Sequence, residues 1–138
     1  DAAADEAERR GLIRPRVVAV TVLTSLDETA LKEEVGIPEP VAVRALAWAR
    51  LAQEAGLDGV VASAWEAAAI RRACGRDFII VTPGIRPQGS SPGDQRRVVQ
   101  PAEAVRAGAD YLVVGRPVTG APDPIRAVRE IVASLGEG

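Results

Sequence analysis

Ala55-Gly56-Leu57-Asp58-Gly59-Val60-Val61-Ala62-Ser63 reads as the end of one helix followed by the whole of one strand. Gly56 stops the helix, and Val60-Val61 begin a short apolar run that closes on the small residue Ser63. The same phrase returns as Ala107-Gly108-Ala109-Asp110-Tyr111-Leu112-Val113-Val114-Gly115. Between the copies the pattern predicts a helix over about Trp65 to Cys74, then a strand over Phe78 to Val81 entered through Gly75 and Asp77. Ahead of the first copy, Val17-Val18-Ala19-Val20-Thr21-Val22-Leu23 is a continuous, mostly β-branched run, the mark of a strand covered on both faces. The order is a helix tail, then strand and helix four times, with an extra short helix after the first strand. Such an order implies a parallel sheet with right-handed crossovers. Four units make half of a (β/α)8 barrel, which usually needs roughly 250 residues. A small open sheet is the alternative, but no dinucleotide-binding fingerprint is present.

The segments around this core fit the same alternation. Asp1 to Arg10 is Ala-rich and charged and reads as the tail of a helix stopped at Gly11. It has no initiator Met and no clear cap, which suggests a chain that starts within an element. Ser25 or Asp27 is placed to cap a short helix over about Glu28 to Val35. Pro40 suits the first turn of the next helix, where Val41, Ala45, Trp48, Ala49 and Ala52 share one face. Leu46 and Leu51 fall off that face, so this helix should touch neighbours on more than one side, with Trp48 as a packing residue. The last helix, about Pro124 to Leu135, carries Ile125, Val128, Ile131, Val132 and Leu135.

Composition narrows the function classes. A chain of 138 residues suits one domain with a real core. Apolar residues make up 47% but aromatics only 3%, so the core must be Ala, Val, Leu and Ile. A net charge of −2 argues against a general nucleic-acid binder. Lys32 is the only Lys, and the remaining basic residues are Arg, which favours rigid bidentate anion contacts and fits a GC-rich genome equally well. Cys74 stands alone, so no intramolecular disulfide is possible; it fits a reducing compartment, the cytoplasm, and reads best as a small buried hydrophobe. There is no His, which excludes imidazole catalysis and His-ligated metal for this chain, and no metal site is expected. No signal peptide and no apolar run of about 18 residues is found, so no membrane association is expected.

Chemistry is expected where the strands end. Each candidate strand closes on something small or polar: Thr24, Ser63, Thr82, and Gly115 with Arg116. In a barrel these ends converge on one face, and the last two strand ends often hold phosphate. Gly115 lets a ligand approach the backbone closely. For Arg116 taken alone, the alternative reading is an ion pair with Asp123 or Glu130. Val81-Thr82-Pro83-Gly84-Ile85-Arg86-Pro87, running on to Gly93-Asp94-Gln95-Arg96-Arg97, is too rich in Gly and Pro to continue as helix or strand. Its Arg and Gln side chains donate hydrogen bonds suited to anionic oxygens; the alternative is a solvated surface loop with scattered Arg.

These motifs together resemble one family. Val20 to Ser25, Leu57 to Ala64, Val81 to Pro87 with Gly93 to Arg97, and Ala109 to Thr119 closely resemble the bacterial orotidine 5′-phosphate decarboxylases. The resemblance runs from about Val17 to the C-terminus in order and spacing. Related decarboxylases acting on sugar phosphates share the barrel and the Gly-Arg phosphate site, but not Thr-Pro-Gly-Ile-Arg-Pro with Gly-Asp-Gln. The resemblance implies a (β/α)8 TIM barrel of which residues 1–138 are the C-terminal half, roughly the last four β-α units of a single domain. It implies that Thr24 contacts the pyrimidine and that Pro83 packs near the base. It implies that Arg86, Gln95, Gly115 and Arg116 hold the substrate phosphate, with Gln95 on a loop that closes over the ligand. It further implies orotidine monophosphate and uridine monophosphate as ligands, a homodimer, no cofactor and a role in pyrimidine synthesis.

The chain also departs from the family. Its chemistry depends on alternating Lys and Asp residues from the first half of the barrel, with a Lys that protonates C6. No Asp-x-Lys-x-x-x-Asp pattern occurs here, and Lys32 lies in a helix-like Leu-Lys-Glu-Glu segment, so no catalytic residue is assigned in this chain. The leading expectation is therefore the substrate-holding half of the decarboxylase, partnered by the N-terminal half of the barrel. The alternatives are a non-catalytic phosphate-binding half-barrel or self-associating fragment, and, third, a sugar-phosphate lyase of the same superfamily.

Overall fold

A computed structural model of the chain describes residues 2–87 and 97–136. Four short strands, β1 (Val18–Val20), β2 (Gly59–Val61), β3 (Ile79–Thr82) and β4 (Tyr111–Leu112), form one parallel sheet in the order β1-β2-β3-β4. Helix α1 (Ala2–Arg9) precedes β1, and α2 (Glu28–Glu33) and α3 (Val41–Glu54) link β1 to β2. Helix α4 (Ala64–Cys74) links β2 to β3, α5 (Pro101–Arg106) links β3 to β4, and α6 (Arg116–Thr119) and α7 (Pro124–Leu135) follow. Each strand pairs with the next in sequence. That is barrel order, and it lacks the reversal that marks a doubly wound open sheet.

The repeated phrase has a physical reason. Asp58, just before β2, accepts the Val17 N–H at 2.7 Å and the Arg14 guanidinium at 2.6 Å. Asp110, just before β4, accepts the Ile80 N–H at 2.7 Å and the Arg71 guanidinium at 2.5 Å. Each carboxylate thus satisfies an amide of the strand beside it at the base of the sheet. Arg14 and a backbone amide hold the Asp58 carboxyl below the usual carboxylate range. Gly59 has its own requirement: a Cβ there would stand 2.2 Å from the Ile79 carbonyl oxygen of the neighbouring strand.

The core lies between the sheet and the helices. Ala49 and Ala52 of α3, and Ala67, Ile70 and Cys74 of α4, pack on Val60, Ala62, Phe78 and Ile80. A second cluster joins Val22, Leu31, Val41 and Ala45, with Trp48 against it. Helix α3 serves both clusters from its expected apolar face; of the two residues off that face, Leu46 packs on the first cluster and Leu51 is 62% exposed. Burial pushes the Cys74 thiol up, in keeping with its reading as a small hydrophobe. Among the described residues no helix is long and apolar enough to cross a membrane.

The structure corrects several expectations. The first strand is shorter than the Val17–Leu23 run, and it is not covered on both faces: Val20 is 57% exposed. Tyr111 on the far strand is 60% exposed. The helices bury one face of the sheet, and the other is open at the edge strands and half-buried at Val61 and Val81 in the middle. Only Ile131 of the expected apolar side of α7 is buried. Asp27 rather than Ser25 caps α2, accepting the Ala30 N–H at 2.9 Å. Helix α6 is not anticipated by any pattern.

Candidate functional site

The site is built where β1 and β3 run out. The last ladder bond of β1 joins the Thr21 N–H to the Val61 carbonyl at 3.0 Å. Beyond it Val22 to Thr24 leave the sheet, and their carbonyls need other donors. Arg97 supplies them. Its Nη2 donates to the Val22 and Leu23 carbonyls at 3.1 Å each, and its backbone N–H donates to Thr24 at 3.3 Å. The remaining arm, Nη1, reaches Glu66 Oε1 at 2.6 Å. Both side chains of this ion pair are almost wholly buried, Arg97 at 3% and Glu66 at 4% exposure. Burial pushes the Glu66 carboxyl up, outweighing the neighbouring guanidinium that pulls it down.

The segment after β3 folds back on the same place. Gly84 has φ +77° and packs against Thr24: a Cβ on it would meet the Thr24 Cβ at 3.4 Å and the Arg97 carbonyl oxygen at 3.0 Å. Only a residue without a side chain tolerates both the backbone conformation and the crowding. Ile85 is fully buried against Ala64, Ala104 and Ala109, and it bridges to Val99. The Arg86 N–H donates to the Val99 carbonyl at 2.9 Å, and the Val99 N–H donates to Gly84 at 3.3 Å. Arg86 itself is buried, with Nη1 on the Ile85 carbonyl at 2.8 Å.

The neighbouring strand end completes the row. The Val113 N–H donates to the Thr82 carbonyl at 2.9 Å, so Gly115 and Arg116 emerge beside Pro83 and Gly84. A Cβ on Gly115 would meet nothing within 4 Å, so the backbone is open to a ligand. Arg116 is exposed and opens α6. Of the carboxylates near it in sequence, Glu130 pairs with Arg126 at 2.7 Å, and Asp123 caps α7 through the Arg126 N–H.

Of the residues expected from sequence, the fold therefore packs Thr24 against the turn that carries Pro83 and Arg86, and it sets Gly115 and Arg116 on the adjacent strand end. Gln95 lies outside the described residues. Ser63 caps α4, and Thr82 shares the helix side of β3 with Ile80. Glu66 escaped the sequence reading. Its signal is a carboxylate on the buried stripe Ala64, Ala67, Ile70 and Cys74 of α4, where only a paired charge is tolerated. Among the described residues no group of three or more His, Cys, Asp or Glu is placed to hold a metal ion.

Comparisons with known proteins place the chain in a family and bear out the fold. A family model described as Orotidine 5′-phosphate decarboxylase / HUMPS family matches residues 1–131. Orotidine 5′-phosphate decarboxylase of Moorella thermoacetica is 60% identical over 136 residues, covering 97% of this chain and 54% of that protein. The crystal structure of orotidine 5′-phosphate decarboxylase from Lactobacillus acidophilus superposes with a TM-score of 0.73 at 36% identity, covering 91% of this chain and 51% of that one. An uncharacterized conserved protein from Geobacillus kaustophilus superposes at 0.74 with 40% identity, covering 96% and 54%. The chain spans about half the length of the curated relatives it matches.

Proposed function

The chain belongs to the orotidine 5′-phosphate decarboxylase / HUMPS family, and from that premise we propose that it forms the C-terminal, substrate-holding half of a (β/α)8 barrel converting orotidine monophosphate to uridine monophosphate and CO2. The observation that carries the reading is the row of strand ends: Thr24 against Gly84, Arg86 two residues on, and Gly115-Arg116 on the next strand. Thr24 contacts the pyrimidine, and Pro83 packs near the base. Arg86, Arg116, the backbone at Gly115, and Gln95 hold the phosphate. A phosphate dianion is best met by guanidinium groups and backbone N–H donors. Gripping this non-reacting group supplies binding energy that can be spent at the reacting carbon.

In the reaction the bond from C6 to the carboxylate breaks, CO2 leaves, and the electron pair left on C6 takes a proton. Lys32, the one Lys of the sequence, is exposed on α2 and is given no part in this. The proton donor and the carboxylates that press on the substrate come from the N-terminal half of the barrel. No cofactor is required, the whole enzyme is a cytoplasmic homodimer, and it serves pyrimidine synthesis. A second reading, self-association of the chain, is favoured by the exposed apolar face at Val20, Tyr111 and Val113.

Loss of orotidine monophosphate absorbance, measured with the chain alone and with the N-terminal half of a relative added, tests the activity. Turnover only with the added half is expected; no turnover in either case refutes it. Uridine monophosphate binding tests the site. Arg116→Ala should weaken it by at least about 1.5 kcal/mol, the lower range for a charged hydrogen bond. Unchanged affinity removes Arg116 from the phosphate set. Sedimentation distinguishes the second reading, since a monomer at all concentrations rules out self-association.

A further inference from the structure

We propose that Arg97 and Glu66 are positioning residues that fix the pyrimidine contact at Thr24 relative to the phosphate contact at Arg86, so that one rigid nucleotide meets both at once. The proposal rests on the ligand reading above and adds two residues to it. The two contacts come from different strands, β1 and β3. Residues 97–99 bond to both sides, where Gly84 already packs on Thr24. Arg97 binds the end of β1 through the carbonyls of Val22, Leu23 and Thr24. Two residues later Val99 holds Gly84 and Arg86 by one backbone bond each. Glu66 anchors the guanidinium from the first turn of α4, a helix packed on the sheet between those strands.

The choice of residue types supports a geometric role. A guanidinium presents its donors in a fixed planar fork, so it can address two carbonyls and a carboxylate at set angles. An ammonium is a single point charge on a flexible stem and sets no such angles. A buried ion pair is also a poor way merely to add stability, because desolvating both charges costs about as much as their attraction returns. Its best-attested use is to specify one arrangement over others.

Fixing two half-sites relative to one another makes a particular prediction. Binding of either fragment alone depends on its own half-site, while binding of the joined ligand depends also on their separation. The test titrates the 138-residue chain with uridine, inorganic phosphate and uridine monophosphate, following amide signals by NMR so that weak fragments are measured. Arg97→Met is expected to weaken uridine monophosphate at least about tenfold. Uridine and phosphate should each change less than about twofold. Arg97→Lys restores charge without the fork and is expected to recover little of the loss. Parallel weakening of all three ligands assigns the pair a purely structural role and overturns the proposal, as does no change in any of them. If Arg97→Met does not fold, as judged by its amide spectrum, Glu66→Gln is read against the same criteria. An unaltered chain that binds none of the three ligands refutes the ligand reading itself. Wild-type binding with unaltered variants refutes only the positioning role.

Discussion

Replacing Arg97 by Met should be the most damaging single change at the strand ends, and its cost should depend on pH. The substitution leaves the Glu66 carboxylate buried without its partner and strips donors from the Val22 and Leu23 carbonyls. Breaking a buried pair from one side typically costs about 3–5 kcal/mol. A domain of this size has a total stability of roughly 7–20 kcal/mol, so roughly 15–70% of it is at stake. The Glu66 carboxyl already titrates above its usual value because burial outweighs Arg97. A carboxyl raised in the folded state contributes stability below its unfolded pKa and loses that contribution as pH climbs through the folded value. Removing Arg97 takes away the one strong pull in the other direction, so the loss on the alkaline side deepens. Urea unfolding at pH 7 and at about pH 5 measures this through the midpoint, with the slope checked for constancy. The Arg97→Met penalty should shrink as the solution is acidified, and adding Glu66→Gln should recover part of it at pH 7. A penalty below about 1 kcal/mol, or one indifferent to pH, would refute the account of the pair as buried and charge-coupled.

Other changes probe the sheet. Gly59→Ala forces a methyl to within 2.2 Å of the Ile79 carbonyl, and overpacking of this kind should cost about 1–3 kcal/mol or more in a thermal melt. A melting temperature equal to wild type would contradict the close approach of β2 and β3. Ile70→Ala empties a fully buried site on α4 and should cost about 2–5 kcal/mol in urea. Asp58, held low by Arg14 and the Val17 amide, contributes stability above its ordinary pKa of 3.8 that disappears as pH falls through its lower folded value. Asp58→Asn should therefore flatten the acid limb of a stability–pH curve, and an unchanged limb would show that other carboxylates dominate it.

The parallel order of four strands could be read from sequence because each unit announces itself locally, by a Gly stop, an Asp and a short apolar run. The Asp positions at 58 and 110 even carry their role in the pattern, since both staple a neighbouring amide. What failed was non-local. The run Val17–Leu23 looks like one long strand, but the carbonyls at its end are claimed by Arg97, which belongs to another unit. Glu66 sits where a capping box would place it, three residues after Ser63, yet its carboxylate points to that same distant guanidinium. Helix α6 is only one turn, Arg116–Thr119, and offers no period to detect beyond its early Pro. The candidate site residues Thr24, Pro83, Arg86, Gly115 and Arg116 were proposed from motif, while the pair that ties two of their strands together carries no motif of its own.

The strictly sequential pairing of the strands also bears on how the chain reaches its folded state. Val18 finds Gly59, Gly59 finds Ile79, and Val81 finds Tyr111, so the middle pairing closes the shortest stretch of chain. It also encloses α4 and much of the largest apolar cluster. Early closure loses less entropy and is rewarded at once by burial, so β2-α4-β3 should form first, with β1 and β4 adding to either side. Pulse-labelled hydrogen exchange should protect Val60 and Ile80 before Ala19 and Leu112; the reverse order would mean that the nucleus lies elsewhere. The Arg97–Glu66 pair links the two flanks of this unit, so it belongs to the last step, and its loss should speed unfolding far more than it slows folding.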